Sequence, residues 1–328
     1  MTAKRATLSA APFPMIGLAP LAGVSDQAFR RLCFRFGADF AVTEMVSAKG
    51  LYYHSEKTKD LMALHPEEGP VYLQLFGHEP EIFRTVIREQ LRGQYDFVGL
   101  DLNMGCPAHK IIKNGDGAAL MRTPLLAGQV ISAMVEASDR PVSVKMRLGW
   151  DQDHQNYLEI GRIAQESGAS LITLHGRTRE AQYSGEADWT AIQALKESLS
   201  IPVIGNGDVK TPETALQRIR QTGVDGIALG RGAMGHPFLF QQIKDYEKQG
   251  RYEPVSRPLL IQSLQTHYQW EEELRGPHQA LLAMRKHLAS YLSGFPGVAD
   301  LRHKLMLAQD QEGVFRLLDQ WLSCGKVS

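Results

Sequence analysis

The chain has 328 residues, with 36 Lys+Arg against 36 Asp+Glu, 43% hydrophobic and 22% charged residues. That composition excludes a disordered or collagen-like chain, and the length suits two domains or one large α/β barrel with a smaller appendage. Zero formal net charge excludes a general electrostatic attraction to nucleic acid or membrane, so any anionic partner must be met by a local patch.

Residues 1–14 read as an N-terminal extension: Lys4 and Arg5 are followed by a stretch with two prolines, which is no apolar signal core. Eight short apolar, β-branched runs then recur, ending near Pro20, Glu44, Phe76, Asn103, Arg147, His175, Asn206 and Gly230. Between them lie amphipathic stretches, such as Phe29, Leu32, Cys33 and Phe36 or Trp189, Ile192, Leu195 and Leu199, spaced as buried helix faces require. Ser25 is the expected N-cap of the first helix. Nearly continuous apolar strands alternating with helices predict parallel strands with crossover helices. Eight such units over residues 15–246 predict an α/β fold, a (β/α)8 TIM barrel, whose usual size is about 250 residues; a doubly wound open sheet is the alternative.

Residues 247–258 (EKQGRYEPVSRP) read as a linker, and from Leu259 to residue 328 only helical patterns follow, predicting a small helical bundle domain. Its faces are Leu260, Leu264 and Tyr268; Leu281, Met284, Leu288, Tyr291 and Leu292; and Val314, Leu317, Leu318 and Trp321. No run approaches the ~18 apolar residues that span a bilayer. Cys33, Cys106 and Cys324 form no CxxC pair and suit no disulfide framework, which favours a reducing, cytoplasmic setting; Cys33 and Cys324 read as inert, and no metal site is visible.

In a barrel of this kind the active site lies at the carboxyl ends of the strands. Standing there are Gln74, Asn103, Cys106, Lys145, Arg147, His175 and Arg177, followed by NGD (206–208) and GRG (230–232). The last two fit a phosphate cradle, since glycines let backbone N–H groups approach an anion. GRGAMG also matches GxGxxG, but no strand with an acidic end follows at the Rossmann spacing. Cys106, in NMGCP, carries a thiol that is mostly protonated at neutral pH and can give a proton; the Gly- and Lys-rich loop behind it (AHKIIKNGDGAA) suits a lid. Lys145 reads as a solvated rim lysine, a Schiff-base lysine, or, with Arg147 on the same side of the strand, a cationic spot for electron-rich ligand oxygens. His175 reads either as a core histidine or as a ligand to phosphate or ring.

Together, APLAGVSDQAFR (19–30), TEMVSAKG (43–50), LDLNMGCPAHK (100–110), SVKMRLGW (143–150), LHGRTR (174–179), IGNGDV (204–209) and GRGAMGHPF (230–238) resemble the tRNA-dihydrouridine synthases, flavin enzymes of barrel fold with a C-terminal helical domain. The bacterial B-type group is the most similar, through TEMVSA, GDGAALM and RKHLASYL (285–292). The resemblance implies an FMN site formed by Pro20, Leu21, Ala22, Gln74, Lys145, His175, Asn206, Gly207, Asp208, Gly230 and Arg231. Leu21 replaces the methionine common in that turn. It further implies Cys106 as proton donor to C5 of a uracil that receives hydride at C6, Asn103 and Arg147 as its ligands with Arg177 beside them, NADPH or NADH as reductant, and tRNA as substrate. Region 256–328 carries 8 Lys+Arg and 7 Asp+Glu, so its charge alone does not indicate RNA binding; Arg285, Lys286 and His287, and Arg302, His303 and Lys304, are its candidate phosphate contacts. A monomer without membrane or metal partners is expected. The rival readings are an FMN enzyme of a small pyrimidine, resembling dihydroorotate dehydrogenases, an aldolase using Lys145, and a tRNA-binding or folding module.

Overall fold

The computed structural model describes residues 14–295 and 297–324, without the side chain of Cys324. The expected extension therefore lies outside the described residues except for Pro14, as does the expectation for Cys324. Nine strands form one closed, all-parallel sheet: β1 Met15–Leu18, β2 Phe40–Val42, β3 Val46–Ser47, β4 Val71–Phe76, β5 Gly99–Met104, β6 Val142–Arg147, β7 Leu171–His175, β8 Val203–Asn206 and β9 Gly226–Leu229. β1 pairs with β9 and β2, and β2 closes onto β4, which gives the expected eight-stave barrel.

The second stave is split, which the sequence reading of a single strand to Glu44 misses. Thr43 Oγ1 accepts the Gln74 N–H at 3.0 Å and donates to the Glu44 carbonyl, so a side chain interrupts the ladder before β3 resumes pairing with β4.

Helices α1 Gln27–Arg35, α2 Ala48–Tyr52, α3 Glu56–Lys59, α4 Pro80–Val86, α5 His109–Ile112, α6 Pro124–Ala137, α7 Tyr157–Glu166, α8 Trp189–Ser198, α9 Pro212–Thr222 and α10 Leu239–Gln249 belong to the barrel. All but α3 and α5, which bury no residue, turn a buried face to the barrel: Phe29 and Cys33, Ile192 and Leu195, Ile219 and Phe240 join Leu102, Val144 and Ile172 in one core. A second cluster, with Phe40, Tyr72, Leu171 and Ile204, fills the barrel interior.

Asp26, not Ser25, caps α1: its Oδ1 accepts the Phe29 N–H at 3.0 Å. Ser25 lies one residue too early and instead accepts the Leu21 N–H at 2.9 Å, fixing the loop after β1. After α10, which ends at a left-handed Gly250, helices α11 Arg257–Arg275, α12 Pro277–Tyr291, α13 Ala299–Leu307 and α14 Gln311–Cys324 form the helical unit around Leu264, Tyr268, Met284, Leu288 and Leu318. Arg257 and Pro258, read as linker, are the first turn of α11, where Ser256 caps the Leu259 N–H and a proline loses no helical hydrogen bond. Leu32 and Phe238 of the barrel belong to the same apolar cluster, so the helical unit packs on the barrel flank. Among the described residues, no helix is long and apolar enough to cross a membrane.

Candidate active site

Alternate residues of a strand point the same way, so Asp101 and Asn103 on β5, Ser143, Lys145 and Arg147 on β6, and His175 on β7 project together into the barrel mouth. Cross-strand register aligns them, with Asn103 opposite Lys145, Arg147 opposite His175 and His175 opposite Asn206. Asn103, Lys145, Arg147, His175 and Asn206 line a cavity of about 350 Å³ that also takes in Pro20, Leu21, Ala22, Gln74, Cys106, Gly207, Asp208, Gly230 and Arg231, while Asp101 and Ser143 lie outside its lining. That is a volume usual for small-molecule and cofactor sites.

A buried relay sets the wall that carries Cys106. Ser143 Oγ donates to Asp101 Oδ1 at 2.6 Å, Gln74 Nε2 donates to Asp101 Oδ2 at 2.7 Å, and Asn103 Nδ2 donates to Gln74 Oε1 at 2.8 Å. Asn103 Oδ1 then accepts the Gly105 and Cys106 N–H groups at 3.2 and 2.9 Å. Asn103 thus lines the cavity but has both ends of its amide engaged, and its chief visible effect is to shape the turn that presents the Cys106 thiol. Burial raises that thiol above its ordinary 9.0, outweighing the Ala108 N–H and the charges of Arg147 and Lys145. Cys106 is therefore a protonated thiol at neutral pH. The segment behind it, expected as a lid, is built: α5 leads into a 3-10 turn over Gly117–Arg122, with the Ala118 N–H on the Cys106 carbonyl and His78 Nδ1 2.7 Å from Asp116.

The opposite wall is cationic. Lys145 has Asn206 Oδ1 at 3.3 Å but, among the described residues, no carboxylate in ion-pair contact; burial and the Arg147 charge push its ammonium down to about 8. Arg147 donates Nε to the Gly105 carbonyl at 2.7 Å and Nη1 to the Thr178 and Gln182 carbonyls at 3.0 and 2.9 Å, and it lines the cavity with no hydrogen bond from Nη2 among the described residues; burial lowers it to about 10. Burial first, then the charges of Lys145, Arg147, Arg177 and Arg231, push His175 down to about 2, so it is a neutral imidazole. Asp208 is the anionic counterweight: Arg177 grips both its oxygens, at 3.0 and 2.7 Å, and Arg231 reaches it at 3.4 Å. Burial raises this carboxyl, yet the Arg177 and Ala187 hydrogen bonds and the two guanidinium charges together hold it below its usual value. Gly207 takes φ +134 in the turn before it, a conformation that side chains resist.

Three expected substrate ligands lie elsewhere. Arg177 does not line the cavity; its remaining N–H groups go to the Ser184 and Gly185 carbonyls, so it braces Asp208. Arg285 and Lys286 stand on α12 outside the cavity, Lys286 exposed and Arg285 half-buried. His287 is fully buried, so it cannot meet a phosphate as the third member of that cluster. Arg302, His303 and Lys304 are all exposed on α13. Sequence reasoning missed Tyr183, which lines the cavity with Arg231 4.3 Å over its ring; it sits in an irregular loop with no periodicity to mark it.

A half-buried ammonium with no carboxylate in ion-pair contact among the described residues, a guanidinium and glycine turns after β8 and β9 form a donor set for an anionic, phosphorylated ring ligand. Those residues fit a flavin mononucleotide.

The sequence model of the family described as "Dihydrouridine synthase (Dus)" matches residues 17–323. A probable tRNA-dihydrouridine synthase 1 from Synechocystis is 39% identical over 312 residues, covering 94% of this chain and 86% of that protein. A tRNA-dihydrouridine synthase B from Pseudomonas aeruginosa is 36% identical over 296 residues, covering 90% and 89%. Among solved structures, histamine dehydrogenase from Rhizobium superposes with TM-score 0.54 at 14% identity over 76% of this chain. A 6-hydroxypseudooxynicotine amine oxidase from Pseudomonas geniculata gives the same TM-score, 0.54, at 15% identity. This chain spans about half the length of each, 48% and 50%, and the likeness is one of fold.

Proposed function

This chain belongs to the dihydrouridine synthase family, and from that premise we propose that its barrel mouth holds FMN and reduces the C5=C6 bond of uridines in tRNA to 5,6-dihydrouridine, with NADPH or NADH as reductant. The observation that carries the reading is a protonated Cys106 thiol facing Lys145 and Arg147 across one cavity. When bound, the flavin supplies the hydride that arrives at C6 of the uracil. Cys106 gives its Sγ proton to C5. Arg147 Nη2 answers the negative charge that spreads toward the uracil O4 while the ring is reduced. Asn103 holds the Cys106 turn beside the base, and Arg177 keeps Asp208 and the following loop in place.

Pro20, Leu21, Ala22, Gln74, Lys145, His175, Asn206, Gly207, Asp208, Gly230 and Arg231, which line the cavity together, would hold the cofactor. The barrel through α10 binds FMN, the segment between Gln249 and Arg257 connects it to α11, and α12 presents Arg285 and Lys286 to the tRNA backbone. A uridine stacked in folded tRNA must be extruded to reach the cavity, at a cost of a few kcal/mol that such backbone contacts offset. A monomer working in the cytoplasm on tRNA completes the reading.

The test is chemical. The purified protein should release FMN, identified by mass, and incubation with NADPH and unmodified tRNA should yield dihydrouridine on nucleoside digestion. A colourless protein that takes up no flavin would refute the proposal, and equal turnover of free uridine or orotate would favour the small-pyrimidine reading.

A further inference from the structure

A second polar cluster lies away from the cavity, where α1 of the barrel meets α11 and α12. His267 and Glu271 stand one turn apart on α11 and His287 faces them from α12; all three are 0% exposed. Their ligand atoms all lie within 4.8 Å of one another. Among the described residues, His267 Nε2, Glu271 Oε1 and both ring nitrogens of His287 have no hydrogen-bond partner. Native interiors leave few such atoms unpaired, and three of them, one from each residue, coming within 4.8 Å of one another call for an occupant.

The surroundings of the cluster are already satisfied. The Tyr291 hydroxyl lies 3.3 Å from His267 Nδ1, which leaves Nε2 facing Glu271 Oε1 at 3.8 Å. Glu271 Oε2 accepts from Arg275 Nε at 2.6 Å, and Arg275 Nη2 donates to Asp26 Oδ2 at 2.7 Å, while Asp26 Oδ1 caps α1. The Phe29 ring packs 5.4 Å from the His267 ring and 5.2 Å from that of His287, closing the cluster on the barrel side. One imidazole oriented by a tyrosine, a carboxylate braced by an arginine and an apolar cover belong to the outer shell that fixes metal ligands.

A single shared proton does not resolve the cluster. Placed between His267 and Glu271 it would pair two of the orphaned atoms and leave both nitrogens of His287 unpaired. A cation takes a lone pair from each of the three residues at once. Burial holds both imidazoles in the neutral form that ligation needs. Two imidazoles and one carboxylate suit a first-row divalent metal, and Zn²⁺ accepts this set without preference for a rigid geometry. Metal–ligand bonds of about 2.0–2.2 Å require the present spacing to contract somewhat, which side-chain rotation on two neighbouring helices allows.

We propose that His267, Glu271 and His287 bind one divalent transition-metal ion, Zn²⁺ fitting best, which fastens α11 to α12 within the helical unit, on the side that packs against α1. None of the three lines the cavity at the barrel mouth. The ion is therefore structural and stands or falls separately from the reaction proposed above. Its position still matters for function, because α12 carries Lys286 and the β1 loop carries Pro20, Leu21 and Ala22.

The experiment uses the full, untagged protein with its bound flavin. Elemental analysis should find one Zn²⁺ per chain; a strong chelator should remove it and lower Tm by several degrees without bleaching the flavin spectrum, and Zn²⁺ should restore Tm. Co²⁺ added to the chelated protein should bind with visible d–d bands. His287→Asn and His267→Asn should each abolish the bands, and the wild-type Co²⁺ titration carries the test if either variant fails to fold. A wild-type protein that contains no metal and takes up neither Zn²⁺ nor Co²⁺ overturns the proposal. So does uptake that survives both histidine substitutions.

Discussion

At the barrel mouth nearly every polar side chain has a protein partner: Asp208 holds two guanidinium groups, and Asn103 is engaged at both ends of its amide. Between α1, α11 and α12, by contrast, four buried polar atoms of three residues have no hydrogen-bond partner among the described residues. The least engaged groups at the mouth, the Lys145 ammonium with Asn206 alone, Arg147 Nη2 and the Cys106 thiol, belong to residues that line a cavity a substrate can enter. Those at the helix junction face one another in a place that only an ion or a water can reach. Orientation by neighbours with a few groups left free is the signature of a reaction site, whereas convergence without neighbours is that of a binding point for something small.

The sharpest way to break this comparison is to remove the group that should react. Cys106→Ala should lower dihydrouridine formation by about 10²–10⁴-fold, the usual worth of a positioned acid, while flavin content and flavin reduction by NADPH stay unchanged. Loss of flavin in step with activity would make Cys106 a packing residue instead. Lys145→Met comes next. In the ligand-free protein Lys145 is charged below its pKa of about 8 and neutral above it. Affinity for an anionic cofactor should thus be constant below that pH and fall as pH rises through it, approaching tenfold per pH unit; fluorescence titration of the flavin should show that break in the wild type and not in the variant.

Asn103→Ala probes orientation alone. Removing the acceptor from two N–H groups of the Cys106 turn should lower stability by about 1–3 kcal/mol, read from denaturant midpoints. It should also slow tRNA reduction by up to about 10²-fold through misplacement of the thiol, with FMN retained. The smallest effect is expected at Lys286→Glu, which should leave flavin chemistry intact, weaken tRNA binding and reduce the slope of log Kobs against log salt by about one unit. An unchanged slope would remove α12 from the RNA interface.

The barrel was legible because each stave is an almost unbroken apolar run, and the mouth because polar residues stand at the ends of those runs. What escaped the sequence depends on contacts distant along the chain. Thr43 splits the second stave through a bond to Gln74, 31 residues away. Arg177 looks like a ligand from its place two residues past the last barrel residue of β7, but its partner, Asp208, comes from the next stave. Tyr183 belongs to an irregular loop. The i,i+4 spacing of His267 and Glu271 was visible, yet it matters only once α12 folds back and brings His287 to the same point.

The central claim is that the barrel mouth reduces uridine within tRNA and that Cys106 supplies the proton. Its most direct test is to reduce the protein anaerobically with NADPH, mix it with unmodified tRNA and follow flavin reoxidation. Wild-type protein should reoxidise with stoichiometric dihydrouridine, Cys106→Ala should reoxidise far more slowly, and free uridine and orotate should leave the flavin reduced. Reoxidation of the variant at the wild-type rate, or equal reoxidation by free uridine, would contradict the account.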